Sequence, residues 1–151
     1  ALCPTLSTHY FTMKFGTEAG IAPWKVEKGM RAAEAQHIGL EKAWKAGVPV
    51  TIGTDAGTPY NPHWGTYMEF VLFVEDMGFD PMDTLAAGTI RSAQVCGVEE
   101  WTGSITPGKH ADFIVLRENP VKNIRTLGQV EQVYKDGALV SLPEIDYSRT
   151  D

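Results

Sequence analysis

The sequence predicts an α/β fold of the parallel, barrel-like kind followed by a small all-β unit. Three observations predict it. A short apolar run, Val48 to Ile52, ends in a glycine-flanked carboxylate; helical periodicity flanks that run on both sides; and near residue 103 the pattern switches to short strand-like segments separated by turns.

Taken in order, Ala1 to Leu6 is compatible with a short strand, and Ser7 to Ile21 is mixed, glycine-containing and aperiodic, so a long loop is expected there. From Val26 the residues Val26, Met30, Ala33, His37, Leu40 and Trp44 recur at three- and four-residue steps, which predicts one inward helical face. Gly47 suits the end of that helix. Glu27 with Arg31 and Glu41 with Lys45 add i, i+4 pairs on the wet side, each contributing only about 0.2–0.5 kcal/mol. Val48, Val50 and Ile52, with β-branched Thr51, read as a buried strand.

A second helix is expected from about Trp64 to Met77, with Tyr67, Phe70, Val71, Val74 and Met77 inward and Gly78 closing it. Asp80-Pro81-Met82-Asp83 then supplies an N-cap, a proline at the first helical position and an acidic first turn, so a third helix begins there. Further helix is expected around Ser92 to Gly97. The β texture follows: Ser104-Ile105, Asp112 to Leu116, Gln129 to Tyr134 and Ala138 to Leu142, the last two joined by Asp136-Gly137, a hairpin signal. Residues 143–151 are polar and expected to be loosely held.

A βαβα half-unit leaves both flanks of a parallel sheet uncovered, and two strands do not make a stable parallel sheet. Sequence upstream of Ala1, or a partner chain completing the sheet, is therefore expected. The chain opens Ala1-Leu2-Cys3-Pro4, with no initiator Met and no hydrophobic signal segment.

The 151 residues are 43% hydrophobic and 21% charged, an ordinary globular composition. A net charge of -6 with scattered Lys and Arg argues against a nucleic-acid partner, and no run suggests membrane insertion. Cys3 and Cys96 stand in unrelated contexts, which offers neither a disulfide framework nor a thiolate metal site.

Asp55 is the first candidate for chemistry, because barrel enzymes keep their reacting groups at the carboxyl ends of strands. A plain turn, with Asp55 bonding local amides and Gly57 supplying a positive φ, is the competing reading. His63 follows in the same loop at Asn61-Pro62-His63, where it lines a pocket or, with Asn61, helps to start the helix. His9 and Tyr10 follow the first strand on the face that would carry chemistry. His37 lies on an apolar helix face and reads as structural, and His110 sits in a solvated turn. No two histidines are spaced i, i+2 or i, i+4, so a complete metal site is not expected from this chain alone.

Gly53-Thr54-Asp55-Ala56-Gly57, Pro62-His63, Gly103-Ser104-Ile105, Pro107-Gly108-Lys109 and Ala111 to Leu116, in that order, resemble the carboxyl-terminal third of a metal-dependent amidohydrolase. The flavour is that of imidazolonepropionase-like proteins and Xaa-Pro or Xaa-Arg dipeptidases, and the resemblance runs from Pro4-Thr5-Leu6 to Asp136-Gly137. His63 is followed by Trp64 and then Gly65, where such proteins often have glycine directly.

The resemblance implies the C-terminal part of a (β/α)8 TIM-type barrel, its last two strands and helices, over 1–102. The C-terminal half of a small β-sandwich would follow over 103–142, and a tail over 143–151. Pro4-Thr5-Leu6 would lie on strand seven and Val48 to Ile52 on strand eight. Asp112 would then belong to the sandwich and hold its turn.

It further implies hydrolysis of amide or peptide-type C–N bonds, with Asp55 as metal ligand and proton shuttle for the attacking water. His63, His9 and Tyr10 would contact a small-molecule or dipeptide substrate. A divalent metal, zinc foremost, would have its other ligands upstream. A deaminase or cyclic amidase of the same superfamily is the neighbouring reading. A non-catalytic fragment, whose open edge is covered by the missing part of the barrel or by self-association, is the alternative of another class.

Overall fold

The computed structural model describes residues 1–16, 18, 20–58 and 60–141. Helices α1 (Leu6–Phe15), α2 (Pro23–Lys45), α3 (Tyr67–Val71), α4 (Pro81–Gly88) and α5 (Ile90–Cys96) precede strands β1 (Phe113–Leu116), β2 (Val130–Lys135) and β3 (Ala138–Val140). Leu142 and the tail at 143–151 lie outside the described residues.

Helix α1 replaces most of the loop expected over Ser7 to Ile21. Its start has no local cap: Thr5, at φ 54°, makes no side-chain capping bond. The carboxylate of Glu69 does that work instead, with Oε1 accepting from the Leu6 amide and Oε2 from the Ser7 amide, both at 2.7 Å. Two orphan donors of the first turn are thereby satisfied from a distant element.

The two strands expected over 1–6 and 48–52 reduce to one parallel bridge, Leu2 with Val50. The Leu2 amide donates to the Pro49 carbonyl at 2.8 Å and the Thr51 amide to the Leu2 carbonyl at 2.9 Å. Parallel direction survives and strand length does not, because neither segment has a second neighbour among the described residues to extend the ladder. Pro4-Thr5-Leu6 turns into α1 rather than continuing a strand.

Helix α2 follows the expected periodicity and ends as a Schellman motif. The Val48 amide reaches the Ala43 carbonyl and the Gly47 amide that of Trp44, each at 3.0 Å, with Gly47 at φ 71°. Ala33 and Leu40 are buried, and Trp44 stacks on Phe79 at 4.1 Å. Met30, expected inward, is 56% exposed. Its helix runs 23 residues against ten in α1, so part of the apolar stripe has no cover.

The second predicted helix exists in three geometries: a 3₁₀ turn (His63–Thr66), α3, and a π-helical turn (Leu72–Asp76). It buries more than the predicted stripe, since Met68, Glu69, Leu72 and Phe73 are buried together with Val71. Phe73 is fully enclosed and meets Phe79 edge-on at 5.6 Å. Helix α4 starts as predicted, Asp80 Oδ1 accepting from the Asp83 amide at 2.9 Å. Helix α5 ends at Gly97, φ 69°.

The sheet is antiparallel in the order β1-β2-β3. Asp136 (φ 51°) and Gly137 (φ 79°) form the two-residue turn between β2 and β3, a type I′ hairpin. Asp112 braces it, accepting from the Asp136 amide at 2.8 Å and from Lys135 Nζ at 2.7 Å. Ser104-Ile105 forms no strand, and Ile105 is 90% exposed. The 3₁₀ turn Ile124–Gly128 buries Ile124 and Thr126 and brings the β segment against α3. No helix among the described residues is long and apolar enough to cross a membrane.

Candidate active site

Beyond Val50 the chain enters the segment Gly53 to Asn61. Cys3 packs so close to Gly53 that any side chain there would meet its sulfur. Asp55 adopts a left-handed conformation, φ 52°, which a short polar residue tolerates better than a bulky one. Its side chain is exposed and, among the described residues, has no hydrogen-bond or ion-pair partner. The plain-turn reading required that carboxylate to bond local amides. The turn instead uses Thr54 Oγ1, which accepts from the Ala56 amide at 3.3 Å, and the Asp55 carbonyl, which accepts from Thr58 Oγ1 at 3.1 Å.

Asn61 closes the segment. Its amide donates to the Thr58 carbonyl at 3.0 Å, and its carbonyl accepts from the Gly57 amide at 2.9 Å. Its side chain, 2% exposed, donates from Nδ2 to the Thr54 carbonyl at 2.5 Å and to Thr8 Oγ1 at 3.1 Å. Thr8 Oγ1 donates to the same Thr54 carbonyl at 3.0 Å. Asn61 therefore ties the loop to α1 rather than starting the next helix, where Pro62 occupies the cap without a side-chain bond.

His63 begins the 3₁₀ turn and lies against Gly57, whose missing Cβ would sit 3.5 Å from His63 Nε2. His63 and Asp55 thus flank one turn. His9 lies on α1, next to Thr8, half-buried, its buried Nδ1 without a partner among the described residues. It lines a cavity of about 370 Å³ between α1 and α2 with Thr12, Trp24, Lys25 and Lys28. Tyr10 is partly buried, its ring packed edge-on to Phe11 at 5.2 Å and its hydroxyl at the exposed end, 3.4 Å from Lys14 Nζ. His37 is half-buried on α2, and His110 Nδ1 meets Asp136 Oδ1 at 2.5 Å in the hairpin region.

Two of the buried polar residues stand out: Glu69, given no role in the sequence reading, and Asn61, read there as part of a helix start. Glu69 does carry a signal, a lone carboxylate inside the apolar run Tyr67 to Val74. Burial, the larger influence, pushes its carboxyl above the ordinary range, and the Ser7 and Leu6 amides oppose that shift. Asn61 carries no comparable signal, because Asn-Pro reads equally well as a helix start.

Among the described residues no three His, Cys, Asp or Glu side chains gather where they could hold a metal ion. Asp55 offers one uncommitted carboxylate, which fits a single position in a coordination set and not the set itself.

The Amidohydrolase family profile matches residues 7–140. Ochratoxinase of Aspergillus niger is 34% identical over 121 residues, 77% of this chain and 24% of that protein. Imidazolonepropionase of Deinococcus deserti is 30% identical over 112 residues, 69% of this chain and 28% of that protein. The crystal structure of a candidate prolidase from Bifidobacterium longum superimposes with a TM-score of 0.86 at 34% identity, over 94% of this chain and 35% of that one. The chain therefore spans about a quarter to a third of the length of these relatives. With the family profile covering most of its length, and with these relatives, the chain belongs to the amidohydrolase family, in its imidazolonepropionase-like branch.

Proposed function

We propose that this chain supplies the proton-transferring end of a metal-dependent hydrolase of amide or peptide-type C–N bonds, with Asp55 as the shuttle. The observation that carries the reading is the uncommitted Asp55 carboxylate beyond the Leu2–Val50 parallel pair, in a member of a hydrolase family. Residues 1–102 are then the last two strands and helices of a (β/α)8 barrel, and 103–142 the C-terminal share of a sandwich. The remaining strands come from other sequence, in the same polypeptide or in a partner.

When bound, a divalent cation such as zinc would lower the pKa of its bound water from far above neutrality to about 7. Asp55 is the residue of this chain that would help to hold it. The Asp55 carboxylate accepts a proton from the attacking water as its oxygen bonds to the substrate carbonyl carbon. It returns that proton to the amine nitrogen as the C–N bond breaks, so the carboxylate ends as it began. Asparagine at this position could not accept the proton. His63, against Gly57 in the same loop, and His9 with Tyr10 on α1 are assigned to substrate contact. A dipeptide substrate follows the likeness to the candidate prolidase, and a cyclic amide follows that to imidazolonepropionase.

The test is Asp55→Asn in a protein carrying the whole barrel. Turnover of dipeptides should fall by about 10²–10⁴-fold with the fold retained. Full turnover in that variant ends the reading.

A further inference from the structure

We infer that Asn61 is a positioning residue that aims Asp55, acting through the Thr54 carbonyl with Thr8 as its second arm; the inference rests on the role proposed for Asp55.

The hydrogen-bond logic leaves one solution. Thr8 has a single hydroxyl proton, which goes to the Thr54 carbonyl, so toward Asn61 it can only accept. The Asn61 side chain must therefore present its NH₂ group, whose two protons serve Thr8 and Thr54. Both lone-pair directions of the Thr54 oxygen are then occupied, by donors from two segments of the chain. The peptide unit is planar, so fixing that oxygen fixes the amide nitrogen and Cα of Asp55 on the other side of the same bond.

The backbone of Asn61 holds the far side of the turn through Gly57 and Thr58. Asp55 is thus bracketed at both ends in a left-handed conformation that non-glycine residues adopt seldom. None of these bonds touches its carboxylate. The clasp constrains the backbone and leaves the side chain available for chemistry, which is what preorganisation of a reacting group requires.

The test uses two near-isosteric substitutions in a protein carrying the whole barrel. Asn61→Asp replaces the donating NH₂ by an acceptor facing two acceptors, and Thr8→Val removes the second arm. Each should lower kcat by about 10- to 10²-fold, the effect of misplacing a reacting group, with KM changed less than about threefold. Added to Asp55→Asn, Asn61→Asp should cause no further loss. Independently of activity, amide hydrogen exchange in the 54–58 segment should quicken by about tenfold in both variants, while α2 stays unchanged.

Either variant folding normally with kcat within about twofold of the parent overturns the inference, as does a loss that multiplies with that of Asp55→Asn. If Asn61→Asp does not fold, Thr8→Val decides. If Asp55→Asn alone keeps full turnover, the proposed function fails, while the exchange measurement still reports on the clasp.

Discussion

The helices and the three-stranded sheet are held together in different ways. The helical part closes around Leu6, Phe11, Leu40, Val50, Val71, Leu72 and Phe73, drawn from segments far apart in sequence. The sheet has regular pairing and a good turn, yet Phe113, Ile114, Leu139 and Val140 are all exposed. Its buried anchor is the 3₁₀ turn carrying Ile124 and Thr126. One region is specified by burial and the other by local backbone chemistry. A hairpin can therefore be well formed while contributing little to the core.

The largest break in that contrast should come from Phe73→Ala. The side chain is fully enclosed, so its loss should destabilise by about 3–5 kcal/mol, read from urea denaturation. A small effect would mean that the aromatic cluster with Trp44 and Phe79 can collapse into the space.

Glu69→Gln comes next. Glutamine keeps one acceptor and turns an NH₂ toward an amide of α1, so a loss of about 1–3 kcal/mol is expected. The pH dependence sharpens it. Because burial raises the folded-state pKa above the unfolded one, the stability Glu69 contributes is fully present below the ordinary carboxylate range and is lost as pH rises through the raised folded value. The advantage of the parent over Glu69→Gln should accordingly shrink from acid toward neutral pH. An advantage that grows with pH would show that the two amide bonds outweigh burial.

The smallest effect is expected in the sheet. Leu139 is 59% exposed on β3, so Leu139→Thr should change stability by no more than about 0.5 kcal/mol by the same denaturation measurement. A loss approaching that at Phe73 would show that this face is covered in the whole protein, and the contrast between the two regions would vanish.

What was legible in the sequence follows the same division. Helix α2, the Asp80 cap and the Asp136-Gly137 hairpin were readable because each is specified by residues within a few positions of one another. Helix α1 was not. Its residues Leu6 to Phe15 carry no clean apolar stripe, and its cap comes from Glu69, 63 positions away from Leu6. The strand expected at Val48 to Ile52 is present here as the single Leu2–Val50 bridge, since an apolar run supplies strand propensity while pairing needs neighbours. At the candidate site, Asp55 and His63 were visible as residues standing in one loop. The Asn61–Thr54–Thr8 clasp was hidden, because Thr8 and Asn61 are 53 positions apart and only the fold brings them together.

The long-range cap on α1 also orders events in time. A first turn that depends on Glu69 cannot lock until the intervening chain, all of α2 included, has been synthesised and folded back, and closing so long a loop precedes any reward from the contact. During translation α1 would thus emerge before α2 yet become secure only after it, spending that interval as a fraying segment in search of its carboxylate.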